Sequence, residues 1–225
     1  MIGIIAAMQI EADGIIDLME NKEAQTISSI VYTSGTLGGK DVVVAVSSEG
    51  KVNAAMCVQT MILRYNATAV INTGVAGGMS DKLGVCDVVV ATKVCEHDMD
   101  MSPLGFERGY ISGVDSVYMD CDKKMCDTFE KCLNKIGVKW HSGVIATGDQ
   151  FITPDMMPEI RERCNAIACE MEGGAIGHVC VRNGVPFAVL RAISDGVNDG
   201  LTFEEFANLA AKNSINATVE FVKEY

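Results

Sequence analysis

The sequence is poor in the residues that build metal sites, membrane spans and linkers. Its three histidines, His97, His141 and His178, lie far apart and lack the spacing of zinc ligands. None of its nine cysteines forms a C-x-x-C pair, so no structural metal is expected. The odd cysteine count, the length of 225 residues and the lack of a basic leader before the first strand argue against a secreted disulfide scaffold. Cys57, Cys169 and Cys180 fall in apolar periodic segments, where a free thiol acts as a small hydrophobe. Reduced thiols and a cytoplasmic location are therefore expected. No apolar run approaches the ~18–20 residues of a membrane span. Positive charge is scarce: 18 Lys and Arg face 30 Asp and Glu, a net charge of −12. Such a surface repels phosphate backbones and anionic lipid, so nucleic-acid and membrane partners are disfavoured. A nucleoside, which carries no phosphate, is not excluded.

There is also no Pro/Ser-rich linker, repeat or low-complexity tract. Residues 1–225 read as a single domain, within the roughly 200–250 residues of a large α/β unit. Hydrophobic residues at 48% and charged residues at 21% are enough for a sizeable core. Strands are expected at 2–7, 30–35, 41–47, 68–72, 85–94, 142–147, 166–170 and 186–193. Helices are expected at 11–20, 52–65, 122–136, 155–164, 173–183 and 203–223. In the second helix, Val52, Ala55, Met56, Ile62 and Leu63 recur near helical spacing, with a break at Gln59. The last helix follows Thr202, with Glu205 three residues on as in a capping box. Its apolar stripe is Phe206, Leu209, Ala210, Ile215, Val219 and Val222. This alternation predicts an α/β fold, a mixed sheet flanked by helices.

Acidic residues stand where buried strands end. Ile2 to Ala7 leads to Met8 and Glu11, Ile167 to Cys169 leads to Glu170 and Glu172, and Phe187 to Ile193 leads to Ser194 and Asp195. Ligands of open α/β sheets bind beyond the carboxyl ends of strands. Glu11, Glu172 and Asp195 thus suggest acid–base work on a small polar substrate. Each has a plainer alternative: Glu11 a solvated first-turn acid, Asp195 a turn residue before Gly196. Arg191, a cation on an apolar strand, is expected to pair with a carboxylate or face the site. His178 reads as a packed histidine.

The stretch 72–78, Asn-Thr-Gly-Val-Ala-Gly-Gly, follows a strand. Its glycines allow close approach of backbone to a ligand, or alternatively make a tight strand-to-helix turn. It matches neither the P-loop nor the dinucleotide fingerprint, and Gly50-Lys51 lacks the rest of a P-loop. Phe151, after Gly148-Asp149-Gln150, could stack on a planar base or staple the helix beyond Pro154. From His97 to Tyr110 the chain carries Met99, Met101, Leu104 and Phe106 without strand or helix period. Apolar side chains on a loop need a cover, either a ligand or another subunit.

Taken in register, these segments resemble the 5'-methylthioadenosine/S-adenosylhomocysteine nucleosidases of the nucleoside phosphorylase superfamily. The resemblance runs over 2–11, 72–78, 97–100, 148–152, 170–172, 191–195 and 201–206. It implies a central mixed, partly barrel-like sheet surrounded by helices. It also implies a homodimer in which the 97–110 loop covers the partner's site, no cofactor and no metal, and a place in nucleoside catabolism and methionine salvage. The implied reaction is hydrolysis of the N-glycosidic bond of an adenine thionucleoside. By the resemblance, Asp195 protonates adenine N7 with help from Ser194. Glu11 is the base for water, with Arg191 nearby, and Glu172 holds the ribose hydroxyls. Met171 packs on the ribose, Phe151 stacks on adenine and the Ile152 backbone reads its polar edge. Met8, Val75 and Gly77 belong to the substrate site. Phe203 and the partner's Met101 and Leu104 line the 5' side.

A phosphorylase needs cationic donors for phosphate. No Arg or Lys lies between Asn72 and Ser80, and the first strand leads to an acid, which favours water. Two positions depart from the family pattern. Val75 replaces a usual Ser, which leaves Arg191 and Glu11 to hold the water. Glu49 replaces a usual apolar residue near the 5' substituent, so it either favours the ammonium of a homocysteine tail or turns away to pair with Lys51 or another surface cation. The competing readings are a related nucleoside hydrolase such as one for futalosine, a phosphorylase, and a catalytically silent nucleoside-binding protein.

Overall fold

A computed structural model describes residues 1–195 and 203–225, the side chains of 203–205 excepted. In chain order the elements are β1 (Ile2–Ala6), α1 (Gln9–Asp17), β2 (Glu20–Ile27), β3 (Ile30–Leu37), β4 (Lys40–Val46) and α2 (Lys51–Arg64). There follow β5 (Ala69–Gly78), β6 (Val88–Glu96), a 3₁₀ turn at Ser102–Leu104, β7 (Tyr118–Asp120), α3 (Lys123–Ile136) and β8 (Trp140–Thr147). The last are α4 (Met157–Cys164), β9 (Ala166–Glu170), α5 (Gly173–Asn183), β10 (Phe187–Asp195) and α6 (Phe203–Glu224).

The predicted elements are all present, but two strands were not expected. β2 is polar and exposed along nearly its whole length, so it carries no apolar alternation. It is held as an edge by its hairpin to β3, whose two turn residues, Ser28 and Ser29, both have positive φ (50° and 65°). Gly38 and Gly39 do the same between β3 and β4. β7 is only three residues long, on the edge of β6.

The sheet closes on itself. β10 pairs with β6, β6 with β8, β8 with β9, β9 with β5, and β5 again with β10. From β5 the sheet continues outward through β1, β4, β3 and β2. The expectation of a partly barrel-like mixed sheet is met. β5 belongs to both parts, and it is longer than predicted. The 72–78 stretch, for which a tight turn was one of two readings, is instead the greater part of this strand and pairs with β10, with a register shift before Asp195, and with β9. Its small residues fit because the ring brings neighbouring strands and side chains close.

Local signals place the helices. Asp122 accepts a hydrogen bond from Met125 N at 2.9 Å at the start of α3, and Gly137 ends that helix with φ 70°. The predicted apolar face of α2 is not the core face. Ala54, Cys57, Val58 and Met61 are buried, whereas Val52, Met56 and Leu63 are exposed. The helix is apolar on two sides, and spacing alone does not say which one meets the sheet. In α6 most of the predicted stripe is buried, but Leu209 is exposed. The capping pattern at Thr202 and Glu205 lies outside the described residues.

Candidate active site

A cavity of about 190 Å³ opens where β1, β5, β9 and β10 end. The strand-end acids all reach it: Glu11, Glu170, Glu172 and Asp195 line it, as do Met8, Glu49, Val75, Gly77, Phe151, Ile152, Met171, Arg191 and Ser194. Met101 and Leu104 do not line it within this chain; Leu104 is exposed on the 3₁₀ turn. The side chain of Phe203 lies outside the described residues. Ala7, Ala76, Gln150, Cys169 and Glu170 also line the cavity and were not among the candidate site residues. Glu170 alone carried a signal, its place at a strand end beside Glu172.

Glu11 is the third residue of α1, and its carboxylate folds back onto the helix start. Oε2 accepts from Ala7 N at 2.9 Å and Met8 N at 2.8 Å, and Oε1 accepts from Val75 N at 2.9 Å. It is 1% exposed, so the reading as a solvated surface acid fails. Burial raises its pKa above the ordinary carboxylate range, against the lowering by Arg191 and the three amides. Only glycine fits at position 74. A Cβ there would lie 2.5 Å from Glu11 Oε1 and 2.6 Å from Arg191 Nη1. The glycine-rich strand thus brings its backbone against the acid and the guanidinium.

Arg191 comes from the middle of β10 and is fully buried. Its Nη1 donates to Val75 O at 3.2 Å, and its Nη2 donates to Asn72 Oδ1 at 2.6 Å, to Glu172 Oε2 at 3.1 Å and to Glu170 Oε2. Both sequence expectations for it hold: it pairs with carboxylates and it faces the site. Burial works against its charge, but Glu170, Glu172 and Glu11 outweigh that and keep it protonated.

Glu170 ends β9 and Glu172 is the cap residue before α5, so the two are not on one strand face yet both converge on Arg191. Glu172 Oε1 also accepts from Gly50 N at 3.0 Å. Burial pushes the Glu172 pKa up to about 7. Arg191 and the Gly50 amide oppose this, while Glu170 and Glu11 add to it. On the other wall, Ser194 Oγ donates to Asp195 Oδ1 at 2.7 Å, which holds one oxygen of that acid. Asp195 is the last residue of β10, not a turn residue. A Cβ on Gly77 would stand 3.5 Å from Asp195 Oδ2 and 3.4 Å from Cys169 Sγ, so this wall is closely packed. Burial pushes the Cys169 thiol up to about 12, which keeps it protonated and unreactive.

At the rim, Phe151 is 64% exposed, while Ile152 is buried with Met157 and Ile160 of α4. Glu49 is exposed beside the cavity and does not pair with Lys51. Lys51 Nζ instead donates to Glu96 at 3.0 Å and Asp98 at 2.7 Å, and no ion pair of Glu49 occurs among the described residues. His178 is half-buried with Nδ1 3.2 Å from Glu96 Oε1. The described residues hold no cluster of three or more metal-ligating side chains.

The comparisons agree with this geometry. The chain matches the family model of the phosphorylase superfamily over residues 1–223. It is 36% identical to a 5'-methylthioadenosine/S-adenosylhomocysteine nucleosidase of Shewanella halifaxensis, over 99% of each chain. Its fold superposes with a TM-score of 0.95 and 33% identity on the nucleosidase of that name from Neisseria meningitidis, solved with methylthio-immucillin-A, over 100% of this chain and 99% of that one. It also superposes on the futalosine hydrolase of Helicobacter pylori, with a TM-score of 0.94 and 30% identity, over 100% and 97% of the two chains.

Proposed function

The chain belongs to the 5'-methylthioadenosine/S-adenosylhomocysteine nucleosidases of the phosphorylase superfamily, and on that footing we propose that it hydrolyses the N-glycosidic bond of those two nucleosides. Water adds at C1' of the ribose, the bond from C1' to adenine N9 breaks, and adenine leaves with a proton on N7. The products are adenine and the thioribose.

The residues divide the work by position. Adenine is a poor leaving group as an anion, and Asp195, oriented by Ser194, supplies the N7 proton. Glu11 takes the proton of the attacking water. A carboxylate oxygen has two lone pairs, and Glu11 Oε1 uses only one of them, on Val75 N, so the other is available to water. Glu172 accepts from the ribose hydroxyls and offsets the positive charge that develops on the sugar, as carboxylates do in other glycosidic cleavages. Met171 packs on the ribose, Phe151 stacks on the base and the Ile152 backbone reads its edge. Val75 contributes through its backbone: its amide donates to Glu11 and its carbonyl accepts from Arg191.

The observation that carries hydrolysis over phosphorolysis is the state of Arg191. It is the one cation lining the cavity among the described residues, and Glu170 and Glu172 already hold it. Among the described residues no free cation lines the cavity to bind a phosphate dianion. The test is adenine release from methylthioadenosine with and without phosphate, with the sugar product identified. The expected product is the free thioribose in both. A sugar 1-phosphate would overturn the reading, and faster cleavage of futalosine than of either thionucleoside would move it to that substrate.

The working unit we propose is a homodimer of single-domain chains acting in the cytoplasm, in methionine salvage. Leu104 is 72% exposed, and Val52 and Leu63 on the outer face of α2 are 71% and 68% exposed. Phe106 stacks on Tyr110 at 4.8 Å, which stiffens the loop. A second copy covering these surfaces would place Met101 and Leu104 near its own cavity. All nine cysteines are free, in keeping with a reducing compartment. No helix among the described residues is long and apolar enough to cross a membrane.

A further inference from the structure

We infer that Glu170 is a positioning residue for the ribose side of this site: its carboxylate fixes Arg191 and the start of α5 so that Glu172 faces the substrate. The inference rests on the hydrolase reading above. Two acids two residues apart enter the same cavity, and their hydrogen bonds separate them. Glu170 Oε1 accepts from Thr147 Oγ1, and Oε2 accepts from Glu172 N at 3.0 Å, Gly173 N at 2.7 Å and Arg191 Nη2. A carboxylate offers about four lone-pair sites. Glu170 accepts four hydrogen bonds, three on Oε2 and one on Oε1, so protein donors hold both of its oxygens. Glu172 accepts two, from Gly50 N and Arg191, and keeps capacity for two ribose hydroxyls.

The bonds of Glu170 have a purpose beyond satisfying a buried acid. Two of its donors are the first amides of α5, which hold the Glu172 backbone in place. The same oxygen draws the guanidinium down toward Asn72, and Thr147 Oγ1 in turn accepts from Gly174 N at 2.6 Å. The first turn of α5, β8 and β10 are thus tied at one carboxylate. Its charge acts as well. Glu172 is faced by Glu170 from β9, Arg191 from β10 and Glu11 from α1, with Glu49 and Asp195 on the same cavity. One cation shared by three acids leaves Glu172 incompletely neutralised. Because Glu170 takes part of the guanidinium, Glu172 remains a responsive, weakly held acceptor.

Glu170→Gln tests this. The amide oxygen replaces Oε2 on its three donors, and the NH₂ faces Thr147 Oγ1, which can accept. Removing one negative charge from beside Glu172, and replacing the ion pair to Arg191 with a neutral acceptor, favours the ionised form of Glu172. The acid limb of the kcat/KM profile should therefore move to lower pH by about one unit or more. A loss of packing alone would lower the rate at every pH and leave the limb in place. Glu170→Asp keeps the charge but withdraws the carboxylate by one methylene. Its limb should stay at the wild-type pH while kcat falls about tenfold or more, since small displacements cost rate steeply. An unmoved limb in folded Glu170→Gln overturns the inference. Should that variant not fold, wild-type kcat in Glu170→Asp overturns it. Absence of adenine release by the wild-type protein is a different failure, that of the hydrolase reading.

Discussion

Glu11→Gln isolates the activation of water, because the structure shows what the substitution keeps. The new side chain has the same shape. Its oxygen must take the Oε2 place, where two amides at 2.8 and 2.9 Å point at it; the opposite orientation would set the NH₂ against both. The NH₂ then faces Val75 N, and one buried hydrogen bond is lost, a cost of about 1–3 kcal/mol. Against this, a carboxylate whose pKa burial raises is replaced by a neutral group, so part of that cost is recovered. Stability should stay close to wild type. The chemistry should not, because an NH₂ with its lone pair delocalised cannot take a proton from water. General-base catalysis contributes roughly 10²–10⁴-fold, or about 3–5 kcal/mol of barrier. Turnover of methylthioadenosine is expected to fall by that factor. A transition-state analogue such as methylthio-immucillin-A should still bind within about tenfold of wild type, since on the proposed mechanism Glu11 acts on the nucleophile. The assay pairs adenine release with calorimetric binding. Equal losses of binding and rate would mean that Glu11 holds the ligand, and turnover within about tenfold of wild type would remove it from the mechanism.

Asp195→Asn keeps the bond from Ser194 but has no proton to give N7, so kcat should fall by roughly 10²–10⁴-fold; near-normal turnover would dismiss the acid assignment. Glu172, pushed up to about 7, should give kcat/KM an acid limb near neutrality if, as proposed, its ionised form accepts from the ribose. Its stability effect runs the other way: the folded chain binds its proton more tightly than the unfolded one, so stability is lost as pH rises from about 4.5 through 7, and Glu172→Gln should flatten that part of the Tm–pH curve. Leu104→Glu is expected to weaken self-association in sedimentation and to lower activity with it; a fully active monomer at assay concentration would contradict the shared site. Glu49→Ile should shift the kcat/KM ratio of S-adenosylhomocysteine to methylthioadenosine downward by less than about tenfold, the scale of an exposed ion pair; an unchanged ratio would mean Glu49 does not meet the 5' group.

What the sequence made legible follows from what each signal depends on. Strand ends followed by acids are local, and Glu11, Glu172 and Asp195 could be found without the fold. Element boundaries were legible where periodicity and caps coincide, as in α3. Of the two readings of the 72–78 stretch, a tight turn and close backbone approach, the turn fails and closeness holds: Gly74 leaves room for Glu11 and Arg191 beside a strand. β2 was missed because an exposed edge strand needs no apolar face. The face of α2 was misassigned because both sides are apolar, and the choice between them is made by the sheet. Asn72 and Glu170, which bond the Arg191 guanidinium, lie 119 and 21 positions from it, and Thr147, which bonds Glu170, lies 44 away; only closure of the barrel brings them together.

That closure also explains how one arrangement can serve both rate and choice of nucleophile. With Glu172 ionised, Glu11, Glu170 and Glu172 against Arg191 leave an excess of negative charge around the cavity floor. At an effective dielectric of about 20, unit charges about 4 Å apart interact by about 4 kcal/mol. The sugar gains positive charge only as the glycosidic bond breaks, so this field favours the transition state over the bound nucleoside. The same field repels phosphate, which would have to approach the same face as water. A phosphorylase would need the guanidinium free and facing the cavity. Here Glu170, Glu172, Asn72 and the Val75 carbonyl hold it, and their hold is what turns a cation at the centre of the site into support for its acids.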